Sequence, residues 1–237
     1  MNGLRDADQG GGSAQDQTYR WLKQHIARVP RHDGTFLTEA EVARTAGTSR
    51  TPVREALLRL EAEGFLRIVP KKGAFVPPIP DAEVRAVMQA RGLIEEWCVR
   101  QAAATGGAAF HARLDGLLAE QTRLIGDPVA FIERDRAFHR AVVGQAGNPV
   151  LAGFYESLRD RQVRMGLRAV ADDEERARAV LAEHAAIVEA LRAGEAAGAA
   201  AALTAHLAAT AAALDLPAEA QPGGEDASLA HSVRGLS

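Results

Sequence analysis

The sequence predicts a mainly α protein in two unlike parts: an N-terminal winged helix-turn-helix with a small β-hairpin wing, then a C-terminal all-α antiparallel bundle. Three observations predict it. Aromatic residues are only 5% of the 237 residues while alanine crowds the C-terminal half, a mix that favours helices over sheets. Charge is divided: residues 17–79 hold 11 Lys+Arg against 6 Asp+Glu, and the remainder holds 17 against 25, so a basic module is joined to an acidic one. Proline, glycine and capping residues then cut the chain into segments of helical length.

Taken in order, residues 1–16 include Gly10-Gly11-Gly12-Ser13 and almost nothing apolar, and are expected to form a disordered tail. From Thr18 to Val29 the apolar residues Tyr19, Leu22, Ile26 and Val29 share one helical face, until Pro30. A short extended piece, Thr35 to Leu37, precedes Thr38, which can cap a helix carrying Val42 and Ala46 and stopping at Gly47. The next helix starts almost at once. Ser49 or Thr51 can cap it, Pro52 suits its first turn, and Val53, Leu57 and Leu60 form its buried stripe up to Gly64. Two short helices joined by a tight turn make a helix-turn-helix. Phe65–Val69 and Ala74–Val76 around Pro70-Lys71-Lys72-Gly73 predict a hairpin with a basic tip. Pro77, Pro78 and Pro80 form a stiff linker, with Asp81 as the expected cap of the first bundle helix.

The winged helix therefore occupies residues 17–79 and the helical domain 80–216. Six helices are expected in the latter, over residues 81–104, 109–125, 128–146, 149–168, 172–192 and 195–214. Asp127-Pro128 and Asn148-Pro149 mark starts and Gly194 a stop. Residues 217–237, rich in Pro, Gly, Ala and Glu, are expected to be a second disordered tail. The single cysteine, Cys98, allows no internal disulfide and fits a small buried hydrophobe in a reducing compartment. Neither a signal peptide nor a membrane span is indicated, and a cytoplasmic protein is expected.

The second helix of a helix-turn-helix enters the major groove. Here Arg50 and Arg54 lie four apart on one face, each able to pair two hydrogen bonds with a guanine edge, while Ser49 and Thr51 are short enough to touch phosphate. Lys71 and Lys72 at the wing tip can reach backbone or minor groove. Thr38-Glu39 with Val42-Ala43, then Gly47-Thr48-Ser49-Arg50-Thr51-Pro52-Val53-Arg54-Glu55-Ala56-Leu57, Leu60, Glu63-Gly64-Phe65 and Lys72-Gly73-Ala74-Phe75-Val76 together resemble the winged helix of the GntR family. The resemblance implies DNA contacts at Arg50, Thr51, Arg54 and the wing residue Gly73. Where that family carries a DNA-touching arginine early in the first helix of the motif, this chain has Ala40.

In the helical domain Asp135 and His139 stand one turn apart on one face. His184 lies ten residues before the turn at Gly194 and His206 twelve after it. At about 1.5 Å per residue both fall some 15–18 Å from that turn, nearly level on antiparallel helices. Three imidazoles and a carboxylate can then meet if the helix bearing Asp135 packs alongside, a set suited to Zn2+ or Ni2+ with room for a ligand oxygen. Arg91 to Glu95, Asp135-Arg136-Ala137-Phe138-His139, Asn148, Glu183-His184 through Gly194, and His206-Leu207 resemble the FCD effector domain of the FadR subfamily. That resemblance implies a divalent metal held by Asp135, His139, His184 and His206, with a carboxylate-bearing metabolite bound over it. Arg91 can grip an effector carboxylate, or pair with Glu95 at i+4 on the helix surface.

The function expected is a DNA-binding transcriptional regulator, not an enzyme. A homodimer would read a palindromic operator under control of a small organic-acid effector, since one head reads only one half-site. Two other readings stay open at this point. Three histidines and an aspartate also suit water activation, as in a metal-dependent hydrolase tethered to DNA, and the histidines are core filler if the bundle binds an apolar ligand without metal.

Overall fold

The computed structural model of the chain describes residues 13–30, 32–171 and 173–214, the side chains of Arg159 and Asp160 aside. The described residues form ten helices and one small three-stranded antiparallel sheet. The helix α1 (Ala14–Ala27) begins earlier than expected. Ser13 caps it by accepting from the Asp16 backbone N–H, which draws residues 14–16 out of the stretch expected to be tail. The rest of that stretch, and the expected tail at 217–237, lie outside the described residues.

After β1 (Thr35–Leu37), Thr38 opens α2 (Glu39–Ala46) with a reciprocal capping box to Glu41, and Gly47 closes it at φ 69°. α3 (Arg50–Ala62) follows with Ser49 at its cap position, although the Ser49 hydroxyl makes no capping bond. Leu22, Val42, Val53, Leu57 and Leu60 close the three-helix core beneath it.

The hairpin of β2 (Arg67–Val69) and β3 (Gly73–Val76) forms as expected, and β3 sits in the middle of the sheet because β1 pairs on its other side. The tip is a turn closed by the Lys72 backbone N–H donating to the Val69 carbonyl at 3.0 Å. Pro70 takes the first central position and Lys71 the second at φ 64°, the arrangement of a type II turn. Gly73 has φ 105°, and a Cβ there would stand 2.5 Å from the Leu37 carbonyl oxygen. A close strand crossing therefore requires this glycine.

The bundle contains α4 (Asp81–Thr105), α5 (Ala108–Thr122), α6 (Pro128–Gln145), α7 (Pro149–Ser157), α8 (Arg159–Val170), α9 (Glu174–Arg192) and α10 (Ala196–Ala212). Asp127, Asn148 and Asp173 cap α6, α7 and α9 through their side chains. Asp81 instead occupies the first turn of α4, behind Pro80 as the cap residue.

The main departure is in the expected helix 149–168, which breaks at Leu158 into α7 and α8. No proline or glycine marks the break. The Leu158 N–H turns to the Tyr155 carbonyl, and the Ser157 hydroxyl donates to the Phe154 carbonyl, so backbone bonding tightens there. The break lets α7 bury Tyr155 beside α4 while α8 crosses toward the linker.

The two parts share a core. Tyr19, Leu22 and Ile26 of α1 belong to the same buried cluster as Val129 and Ile132 of α6 and Val163, Leu167 and Val170 of α8. Arg164 of α8 donates to the Pro77 carbonyl of the linker at 3.1 Å. At the same junction the Lys23 side chain is only 2% exposed, bonded to Glu63 at 2.9 Å and 3.5 Å from Glu133 of α6. Burial alone would make its ammonium a weaker base, but the bonds to Tyr19 and Glu63 outweigh that and raise its pKa. Among the described residues no helix is long and apolar enough to cross a membrane.

Candidate metal centre and DNA-reading face

Helix α6 brings Asp135 and His139 to the bundle interior, α9 brings His184 and α10 brings His206. The four side chains meet, with one ligand atom from each lying within 4.8 Å of all the others. The His139 and His206 Nε2 atoms are 3.1 Å apart, the His139 and His184 Nε2 atoms 3.3 Å, and Asp135 Oδ1 is 3.4 Å from His184 Nε2. Two nitrogens each about 2.0–2.1 Å from one ion stand about 3 Å apart, so this spacing fits donors sharing one cation.

Proton accounting supports the same fit. His139 Nδ1 lies 2.7 Å from Glu95 Oε2, His206 Nδ1 2.7 Å from Glu183 Oε2, and His184 Nδ1 3.1 Å from Gln121 Oε1. Each of these oxygens accepts, which favours the tautomer that donates from Nδ1 and leaves each Nε2 lone pair turned to the centre. Three converging lone pairs repel one another unless a cation sits among them. Burial, with the neighbouring imidazoles, holds His184 well below the usual histidine range, and burial lowers His206 against the pull of Glu183, so both rings are ready as neutral ligands.

Sequence reasoning did not assign the supporting acceptors Gln121 and Glu183, and it named Glu95 only as a partner of Arg91. Arg91 is indeed that partner at i+4, but inside the bundle. Its Nε donates to Glu95 Oε1 at 2.6 Å and the residue is buried. Burial works to raise the Glu95 carboxyl, yet Arg91 and His139 outweigh it and hold it well below the usual carboxylate range. Cys98 is buried close by, its thiol pushed up to about 11 mainly by that burial, which suits a small packing residue.

Asp135 and His206 also line a narrow cleft, about 20 Å³ in cavity volume, that opens toward solvent. Arg91, Arg136 and Arg176 line it with them, and Ile132, Val163, Val170 and Val180 supply apolar wall. α8 gives this cleft Gln162, Val163, Gly166, Ala169 and Val170, while its Arg164, Leu167 and Arg168 line a second cleft against Val76, Pro77 and Ile79.

The expected DNA-reading residues lie on the opposite part of the molecule. Ser49, Arg50, Thr51 and Arg54 are all exposed around the first turns of α3, as are Lys71 and Lys72 at the wing tip. Arg54 is 75% exposed at its side chain, with Glu39 of α2 3.5 Å away as a loose partner. Ala40, also exposed, is next to that glutamate on α2. Gly73 has the structural duty of the strand crossing, whatever its relation to DNA.

Residues 14–76 match the gntR family of bacterial regulatory proteins, and residues 86–209 match the FCD domain. A Streptomyces ambofaciens relative, an uncharacterized HTH-type transcriptional regulator in an unstable DNA locus, is 31% identical over 60% of this chain. The chain spans 60% of that relative's length. The Escherichia coli HTH-type transcriptional repressor GlaR is 31% identical over 62% of this chain and 69% of its own, and the E. coli galactonate operon transcriptional repressor 28% over 65% and 76%. Among solved structures, E. coli McbR/YncC superposes with a TM-score of 0.56 at 25% identity, over 86% of this chain and 98% of its own. A putative GntR regulator from Rhodococcus sp. RHA1 superposes with a TM-score of 0.54 at 21% identity, over 86% and 98%, a likeness of fold. These families and relatives are transcriptional regulators, not enzymes. With a helix-turn-helix and wing at one end and an FCD bundle at the other, the chain belongs to the GntR family of transcriptional regulators.

Proposed function

We propose that this regulator is a homodimer that binds a palindromic operator, and that a small carboxylate-bearing metabolite bound over a divalent metal in the FCD domain controls its operator affinity. The observation that carries the reading is the convergence of three Nε2 lone pairs and the Asp135 carboxylate at the wall of a cleft edged by Arg91, Arg136 and Arg176. Asp135, His139, His184 and His206 would hold the ion, and the nitrogen-rich set favours Zn2+ or Ni2+. When bound, it supplies Lewis acidity for a carboxylate oxygen. The charged lining of the cleft also favours an acid over a purely apolar ligand.

On the DNA side, Arg50 and Arg54 read base edges, Ser49, Thr51, Lys71 and Lys72 meet phosphates, and Gly73 brings the wing backbone near the duplex. A protein that acts on a chromosomal operator would act in the cytoplasm. Coupling runs through α8, which carries cleft residues on one side and holds the linker through Arg164 and Pro77 on the other. An effector that shifts α8 thereby shifts the heads. A second copy covers the exposed apolar residues Leu93 and Trp97 of α4 and Val150 and Phe154 of α7, whose helices pack together.

The test is elemental analysis of the purified chain beside its His139→Ala and His184→Ala variants, with melting before and after chelation. About one Zn or Ni per chain is expected, absent from both variants. Saturation at a thousandfold over Kd corresponds to about 4 kcal/mol of stability lost on chelation. No bound metal and no change on chelation would reduce the protein to a DNA-binding regulator with a different ligand.

A further inference from the structure

Lys23 of α1 is a buried charge that neither the metal centre nor the DNA-reading face employs. Its side chain is 2% exposed, and its ammonium faces two carboxylates on different parts of the molecule. One is Glu63, 2.9 Å away, the C-cap residue of α3. Glu63 also accepts from the Tyr19 hydroxyl at 2.7 Å, so two α1 side chains fasten the end of α3. The other carboxylate is Glu133, 3.5 Å away on α6, the helix that carries Asp135 and His139.

Apolar burial is non-directional. It keeps Tyr19, Leu22 and Ile26 against Val129 and Ile132 without fixing how the head is turned. An ion pair between named atoms does fix a direction. A cleft of about 610 Å³ in cavity volume opens at the same place, with Tyr19, Lys23 and Glu63 on its head side and Leu124, Val129 and Glu133 on its bundle side, so packing leaves room there for the head to swing. Another charged approach across this boundary, His32 Nδ1 to Asp81 Oδ1, is looser at 4.0 Å. Helix α3 has 13 residues and is about 20 Å long. A swing of about 10° around Glu63 therefore carries Arg50, at the far end, about 3.4 Å, which is the rise of one base pair.

We propose that Lys23 and Glu133 position the DNA-reading helix α3 against the bundle, and that their contact sets the half-site spacing the protein accepts. Lys23 is buried, so it acts through Glu63 and not on DNA. The proposal rests on the homodimer and palindromic-operator reading above. In a dimer each head has one such contact. Adding one base pair between the half-sites turns one against the other by about 34° and separates them by about 3.4 Å. To follow that change the heads must release their contacts with α6. A part-exposed ion pair is worth about threefold in an equilibrium constant, and the two in a dimer about tenfold.

The experiment is an anisotropy titration of the full chain and of its Glu133→Gln variant on three labelled duplexes: a palindromic site selected from random DNA, the same site with one base pair added at its centre, and a single half-site. The wild-type chain should lose affinity on the lengthened site, and in Glu133→Gln that loss should shrink about tenfold. Half-site affinity and melting temperature should hold, since Lys23 keeps Glu63 and Tyr19. An unchanged loss in the variant, or equal weakening on all three duplexes, would overturn the positioning role and leave the homodimer reading standing. No loss in the wild-type chain would overturn it as well. A half-site bound as tightly as the whole palindrome would remove the homodimer reading and this proposal with it.

Discussion

The two ends of this molecule hold their functional side chains in opposite ways. Ser49, Arg50, Thr51 and Arg54 come from two turns of one helix, stand in solvent, and have at most a loose partner such as Glu39. Asp135, His139, His184 and His206 come from three helices and pack inside the bundle, where Glu95, Gln121 and Glu183 take the histidines' second nitrogens. A surface that must conform to DNA can leave arginines free, because phosphate and base edges arrive to complete them. A site that must bind a small ion needs its donors aligned beforehand, and alignment requires partners behind them.

Lys23 is the exception to that contrast, and changing it should give the largest effect. It is a buried charge in the head, held by Tyr19 and Glu63 where α1 meets α6. Lys23→Ala leaves Glu63 without its closest cation and should cost about 3 kcal/mol in urea unfolding. Unfolding unchanged within error would show that the junction carries no strain of this kind. Burial tends to raise the Glu63 carboxyl, but the bonds from Lys23 and Tyr19 reverse this and lower its pKa. The unfolded chain therefore binds more protons than the folded one below about pH 4.3, so stability should fall as acid is added through that range. Glu63→Gln should flatten that slope.

Next in size is Glu95→Gln. The amide keeps the shape of the carboxylate but loses the charge that Arg91 and His139 both use. Metal affinity should fall about 10–100-fold in competition with a chelating dye. Operator binding by the metal-free protein should stay the same, and a loss of DNA binding there would break the proposed division of labour. Arg54→Ala should do the reverse. Specific operator binding weakens by about 1–3 kcal/mol, while an exposed arginine far from the core leaves stability within about 0.5 kcal/mol.

The smallest effect is expected at the wing. Lys71 adopts φ 64° in a turn where glycine carries no steric penalty. Lys71→Gly should leave folding stability within about 0.5 kcal/mol, as relief of the left-handed strain is offset by a more flexible unfolded chain. Its measurable consequence is electrostatic: the salt dependence of operator binding should lose about one unit of slope. An unaltered slope would place Lys71 away from phosphate.

By itself the sequence determined whatever rests on neighbours along the chain. The capping box at Thr38, the stop at Gly47, the basic wing tip and the Asp127 and Asn148 starts were all legible, because caps, turns and helical periodicity act within a few residues. The level placement of His184 and His206 was legible too, as one short turn joins their helices and rise per residue does the rest. Tertiary structure alone decided the break at Leu158, which has no proline or glycine to announce it and comes from burying Tyr155 on one side and holding the linker on the other. It alone chose Glu95, Gln121 and Glu183 as the histidines' supports and left Gln162 and Arg176 facing a common cleft. Those partners lie as much as 63 residues apart in the chain. No local propensity encodes such a pairing; it arises from how the helices pack and from the cost of burying a polar group without a partner.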